Sequence, residues 1–283
     1  DGDMATLAGI TETGNALSIT VTDTSVAADA LNTLNARTTT AVNVDSATTI
    51  TGSYADLNTA YTANSAGSIT GLGNEAITAS DNTVTVAQAN VLDAYTTGVV
   101  TATIGDNDVA TLETLAGTGN AYTISVTDAS VSAEKLNALD GKTTVAVAVS
   151  STGVTGSVSA INTAYNSAGI TGLGNENISI SSVTASVFEV NALNAFTTGT
   201  VTANISNNDM GTLETLTGTG NAYTISVTDA SVSAEKLNAL DAKTTVAVAV
   251  TSTAVTGTAA AITSAYGSSG ITGLGNEAVT ASG

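Results

Sequence analysis

The chain has 283 residues with no Cys, His, Pro or Trp, and 5 basic residues against 24 acidic ones give a net charge of −19. Without His or Cys there is no Ser-His-Asp triad, no thiol nucleophile and no ordinary structural zinc site. The cations Arg37, Lys135, Lys142, Lys236 and Lys243 are too few to support nucleic-acid binding, and no apolar run approaches the ~18 residues of a membrane span, so neither a nucleic-acid partner nor direct membrane insertion is expected.

Taken in chain order, apolar pairs at helical spacing begin at Leu7, Leu31, Leu57, Val91, Leu112, Leu136, Ile161, Val190, Leu213, Leu237 and Ile262. Segments of about 25 residues therefore tile the chain, the length of solenoid coils that bury an apolar face only when stacked on neighbours. Most such segments predict one short helix and one strand. SAEKLNALD (132–140) places Ala133, Leu136 and Leu139 on one helix face, with Ser132 or Asp128 as N-cap. TTVAVAV (143–149) then switches to β-branched residues in strict alternation. ADALNTLNA before TTTAVNV, and VFEVNALNA before TTGTVTANI, make the same switch. Segments opening INTAY pass through ITGLGNE, so two short strands are expected to meet there at a glycine corner.

A longer period encloses the shorter one. Residues 111–149 recur at 212–250 with only Thr217 standing for Ala116 and Ala242 for Gly141, 37 identities in 39 positions. GLGNE occurs at 71–75, 172–176 and 273–277, and a Gly-Asn pair at 14–15, 119–120 and 220–221. The repeats are therefore drawn as 1–107, 108–208 and an incomplete 209–283, all parts of one continuous solenoid. Four extra residues in the first copy, between Thr39 and Ile69, are expected in a surface loop. The fold class expected is an α/β solenoid of stacked coils, each with a short strand and a short helix, on a parallel β-sheet. The alternative is a string of all-β immunoglobulin-like sandwiches, which a repeat of about a hundred residues also fits.

Recurrent residues are read against that frame of stacked coils. Asn32, Asn58, Asn137, Asn162, Asn191 and Asn238 follow the first apolar residue of their helices. They are poor helix formers, so they are expected to make hydrogen bonds, either locally or as a ladder to the next coil. Tyr61, Tyr165 and Tyr266, like Tyr122 and Tyr223, hold matching positions and are expected to be packing anchors. Threonine arrays such as Thr20-Val21-Thr22 and Thr101-Ala102-Thr103 read as the solvent face of strands, the motif not staying in register between coils.

Carboxylates supply the candidate ion sites. Asp106, Asp108 and Asp209 recur just before a segment begins, and Glu176 recurs in GLGNE. Calcium takes six to eight oxygens, which turns rich in Asp, Asn and carbonyls can provide, so these four are the candidate calcium ligands. No calcium-binding nonapeptide or EF-hand loop accompanies them, and helix caps and Asx-turns are the competing reading. No catalytic residue or organic cofactor is expected, because every marked acid belongs to a periodic series rather than to one cleft.

VTDASVSAEKLNALDAKTTVAVAV and SAGITGLGNEAVTAS resemble the repeats of very large cell-surface proteins of marine cyanobacteria, a group that includes the surface protein associated with swimming. The resemblance is one of repeat style over essentially the whole chain. It implies an extracellular, non-enzymatic role at the cell surface in envelope organisation, motility or adhesion. The natural chain is expected to continue beyond this section, or copies to self-associate end to end through unpaired strand edges. The other function considered is an adhesin that binds glycan or ice through a repeated face.

Overall fold

A computed structural model describes residues 1–181 and 184–282. Eleven helices occur among them: α1 (Met4–Leu7), α2 (Ala28–Asn35), α3 (Tyr54–Ser65), α4 (Val86–Tyr95), α5 (Val109–Leu112), α6 (Ala133–Asp140), α7 (Val158–Asn166), α8 (Val187–Asn194), α9 (Met210–Leu213), α10 (Ala234–Asp241) and α11 (Ala259–Gly267). Each of the apolar pairs found in the sequence begins inside one of them. Small polar residues start most of them. Asp3, Ser53, Thr85, Asp108, Ser157, Ser186, Asp209, Ser233 and Thr258 each accept the backbone N–H three residues on. Thr85 with Gln88, and Ser186 with Glu189, complete reciprocal capping boxes.

The protein is mixed α/β, with strands and helices alternating along the chain, and it comprises two compact units. The first holds Asp1–Thr127, Ala138–Val149 and Ala168–Thr171; the second holds Asp128–Asn137, Ser150–Ser167 and the described residues from Gly172 onward. Three sheets lie in the first unit, formed by strands 19–20, 42–43 and 69–70; by 25–27, 49–52, 76–79, 100–103 and 121–123; and by 125–126, 147–149 and 170–171. Three lie in the second, formed by 130–132, 153–156, 177–180, 201–204 and 222–224; by 226–227, 248–250 and 271–272; and by 231–233, 254–258 and 278–282.

Every described strand pair is parallel. That finding, together with the interleaved helices, overturns the immunoglobulin-like alternative, whose sheets are antiparallel. Register aligns like with like. Val26, Ile50, Ile77 and Val100 form one row, and Val131, Val154, Ile178 and Val201 another, all of them buried. Shifting any strand by one residue would turn its β-branched side chain outward. Burial of each is worth about 1.5–3 kcal/mol relative to exposure. Leucines of the helices close the core from the other side, Leu31, Leu57, Leu92 and Leu112 in the first unit and Leu193, Leu213, Leu237 and Leu240 in the second.

The expectation of one strand per segment needs correction. The second strand foreseen at the GLGNE corner is present, as 170–171 and 177–180, but a pair of strands also follows α6, at 147–149 and 153–156. Strands of two to five residues separated by a tight corner are too short to show their own alternation. The four-residue difference in the first copy is also placed differently. α3 runs for 12 residues where its counterpart α7 runs for 9, so most of the extra length adds nearly a turn of helix rather than loop.

The Gly-Asn marker acquires a role here. Asn120 is buried, accepts the Val100 N–H at 2.8 Å and donates to Asp93 at 2.7 Å. Asn221 repeats this with Val201 N–H at 2.7 Å and Asn194 at 2.9 Å. One amide side chain thus satisfies a strand end that the ladder leaves open.

Candidate functional site

The most elaborate polar constellation is built at the GLGNE corner. In the second repeat, Gly174 adopts φ +137°, a conformation open to glycine, and its N–H donates to Glu176 Oε2 at 2.8 Å. The Tyr165 hydroxyl, carried by α7, donates to the same oxygen at 2.9 Å. Thr197 Oγ1 donates to the Glu176 carbonyl at 2.5 Å. Phe196, just beyond α8, stacks on Tyr165 with ring centroids 5.3 Å apart and 16° between planes. A Cβ on Gly199 would collide with the Glu176 carbonyl, so the strand can approach only with glycine there. Glu176 is 1% exposed, and its other carboxylate oxygen has no hydrogen-bond partner among the described residues.

The first repeat builds the same corner. Tyr61 donates to Glu75, whose Oε2 also accepts Gly73 N–H at 2.9 Å and Asn74 N–H at 3.0 Å. Tyr95 takes the place of Phe196, stacked on Tyr61 at 4.9 Å. In the third, Tyr266 donates to Glu277 at 2.8 Å, and Gly275 N–H lies at 2.7 Å from the same oxygen, with Tyr266 39% exposed. Burial, and then the hydrogen bond to the glutamate, push the Tyr61 and Tyr165 hydroxyls well above the ordinary phenol range. The tyrosines therefore stay neutral donors, and the corner works as a latch. Tyr122 and Tyr223 are fully buried packing anchors whose hydroxyls have no partner among the described residues; burial pushes Tyr223 up to about 12.

The acids singled out in the sequence are placed at helix starts. Asp106 Oδ2 accepts the N–H of Val86, the first residue of α4, at 2.7 Å. Asp108 caps α5 by accepting Thr111 N–H at 2.9 Å, and Asp209 caps α9 by accepting Thr212 N–H at 2.8 Å. Those bonds hold the Asp108 and Asp209 carboxyls below the usual carboxylate range. Glu176 belongs to the corner instead. Each of the four thus serves its own backbone donor, and among the described residues no three acidic side chains gather where they could hold a metal ion.

Sequence reasoning missed the wider pattern to which Asp106 belongs. Asp23 accepts Met4 N–H at 2.7 Å, Asp81 accepts Tyr54 N–H at 2.6 Å, and Asp229 accepts Met210 N–H at 2.7 Å. Glu134 does the same for Ser157 N–H at 2.8 Å and Glu235 for Thr258 N–H at 2.7 Å. In each case an acid from one segment satisfies an orphan N–H, at the positive end of the helix dipole, on another segment. The signal available was the recurrence of single acids roughly one segment length from each helix start.

The asparagines form bonds of the ladder type. Asn32 Nδ2 donates to Asp56 O, Asn137 Nδ2 to Ala160 O and Asn238 Nδ2 to Ala261 O, each at 2.9 Å and each joining one helix to the first turn of the next. Asn191 brackets a loop, donating to Thr215 O at 2.9 Å and accepting Thr217 N–H at 2.8 Å. Asn58 instead accepts the Tyr95 hydroxyl at 2.6 Å, and Asn162 is bonded within its own helix by Asn166.

Outward hydroxyls do line up in short rows, and Thr101 of the triplet Thr101-Ala102-Thr103 belongs to one of them. Thr51, Thr78 and Thr101 are consecutive register partners in the first unit, and Thr155, Ser179 and Thr202 in the second. Among the described residues no helix is long and apolar enough to cross a membrane. Compared with family models, curated proteins and solved structures, the chain matches none of them.

Proposed function

We propose that this chain is a structural section of a long extracellular surface protein or filament, acting in envelope organisation, motility or adhesion. Its segments are read as coils of one α/β solenoid, each unable to bury its apolar face alone. The observation carrying this reading is that polar links run from segment to segment at nearly constant separation: Asn32 to Asp56 across 24 residues, Asn137 to Ala160 and Asn238 to Ala261 across 23. Such side chains hold a stack in register. The acids are engaged as caps and latches, which supports a non-catalytic role. The negative charge supports solubility of an extended surface and discourages lateral clumping. The resemblance in repeat style to giant surface proteins of marine cyanobacteria supports the location. An antibody raised against this chain should label intact, unpermeabilised cells of the source organism; label confined to permeabilised cells would reject the surface assignment.

A second reading, an adhesin for glycan or ice, draws on the aligned hydroxyls of Thr51, Thr78 and Thr101. A repeated hydroxyl row on parallel strands presents evenly spaced donors and acceptors to an ordered ligand. Replacing all three by Val, with adhesion or ice recrystallisation unchanged, would remove that reading.

A further inference from the structure

The three GLGNE corners are alike in sequence but not in what covers them. In the first two repeats a further segment lies on the corner. Strand 76–79 pairs with 100–103, Ile77 opposite Val100, and strand 177–180 pairs with 201–204, Ile178 opposite Val201. The covering segment seats a ring on the corner tyrosine, Tyr95 on Tyr61 and Phe196 on Tyr165. It also donates a threonine hydroxyl to the corner glutamate's carbonyl, Thr96 to Glu75 and Thr197 to Glu176. Ile77 and Ile178 are fully buried in these two arrangements.

In the third repeat the same groups face outward. Strand 278–282 pairs only with 254–258 among the described residues, so its other edge is open. Val279, the counterpart of Ile77 and Ile178, is 51% exposed, and Tyr266 is exposed beside it. Ile262 of α11 is half-buried where its counterparts Leu57 and Ile161 are fully buried. An open parallel edge flanked by an aliphatic and an aromatic side chain is the form of surface that takes up an added strand.

We propose that this face docks a helix–strand segment with the chemistry of residues 184–206: a short capped helix ending in an aromatic residue, then Thr-Thr-Gly, then a Val-Thr-Ala strand. The occupant is defined by the interface that the molecule already makes twice. Its ring would stack on Tyr266, its threonine would donate to the Glu277 carbonyl, and its valine would lie opposite Val279. The glycine is required, because a Cβ on Gly98 or Gly199 would meet the corner glutamate's carbonyl oxygen at 2.4 or 2.3 Å. A second copy offering its first residues is the rival occupant. Those residues match the chain from 106 onward, a type whose strand 121–123 pairs with 100–103 rather than with 76–79, and they carry no aromatic-Thr-Thr-Gly run. The proposal rests on the reading of the segments as stacked coils.

The test is fluorescence anisotropy of a labelled peptide of residues 184–206 titrated with the whole chain. Saturable binding with a Kd of about 100 µM is expected, weak because the free peptide must order on docking. Val279→Lys in the chain, with an unchanged circular dichroism spectrum, should weaken it at least about tenfold, as should Phe196→Ala or Gly199→Val in the peptide. A peptide of residues 106–128 should not bind. No saturable binding up to about millimolar, indifference to these substitutions, or equal binding of the 106–128 peptide would each overturn the proposal. So would a dimer of the whole chain that Val279→Lys dissociates, since the face would then belong to a second copy. Failure of the peptide where strands 76–79 and 100–103 are proven paired would leave the coil reading standing.

Discussion

Asn137 on α6 donates its amide to the carbonyl of Ala160 in the first turn of α7, at 2.9 Å and 23 residues along the chain. Its counterparts Asn32 and Asn238 make the same bond to Asp56 and Ala261. A side-chain hydrogen bond of this kind contributes about 1 kcal/mol, and truncating it also removes packing between neighbouring helices.

Asn238→Ala and Asn32→Ala are therefore expected to lower unfolding stability by about 1 kcal/mol each in urea titrations. Asn162 is exposed and, among the described residues, bonded within its own helix, so Asn162→Ala should change stability by less than about 0.5 kcal/mol. Equal losses at Asn162 and Asn238 would show that the link between segments has no special weight.

Two tyrosines separate latch from anchor. Tyr165→Phe leaves the buried Glu176 with one donor fewer and should cost about 1–3 kcal/mol. Tyr122→Phe removes a buried hydroxyl that has no hydrogen-bond partner among the described residues, so it should be neutral or slightly stabilising, within about 0.5 kcal/mol. The order of the two midpoints in denaturant decides the point.

Acid should weaken the fold through Glu134 and Glu235. Each carboxyl is held down to about 2 from the usual 4.5, first by the N–H of Ser157 and of Thr258 respectively, and then by the Ser132 and Ser233 hydroxyls. Between those values the unfolded chain binds more protons than the folded one. Their contribution is thus complete above about pH 4.5 and is lost as pH falls toward 2. The double variant Glu134→Gln, Glu235→Gln should be less stable at pH 7 and show a flatter decline across that window. An unaltered slope would mean that these caps do not govern acid sensitivity.

Calcium should have little effect. Asp106, Asp108, Asp209 and Glu176 each accept their own backbone N–H, and among the described residues no three acidic side chains gather where they could surround an ion. The melting temperature is expected to move by less than about 1 °C between chelator and millimolar calcium, whereas an occupied tight site would raise it by several degrees.

The helices were legible because each announces itself locally, by a cap residue such as Ser157 three places ahead of Ala160 and by apolar pairs at helical spacing. What no local pattern carries is the partner of a long-range bond. Asn137 was visible as a residue needing a hydrogen bond, but Ala160 is an ordinary alanine. Tyr165 and Glu176 were each marked, one as an anchor and one as a calcium candidate, yet only the turn at Gly174 brings hydroxyl to carboxylate. Strands such as 153–156 are too short for alternation to stand out, so the second strand after α6 escaped notice.

The account stands on neighbouring segments pairing as parallel strands in the stated register, and the absence of native cysteine allows a direct measurement. Thr78 and Thr101 are register partners on adjacent strands, so their Cα atoms lie within the span a disulfide tolerates. Thr78→Cys with Thr101→Cys should close a disulfide within the folded monomer on mild oxidation, seen as loss of both free thiols. Thr78→Cys with Ala102→Cys, one residue out of register, places the thiols on opposite faces and should stay reduced. Free thiols in the first pair, or equal closure of the second, in a protein with native circular dichroism would contradict the stacked arrangement.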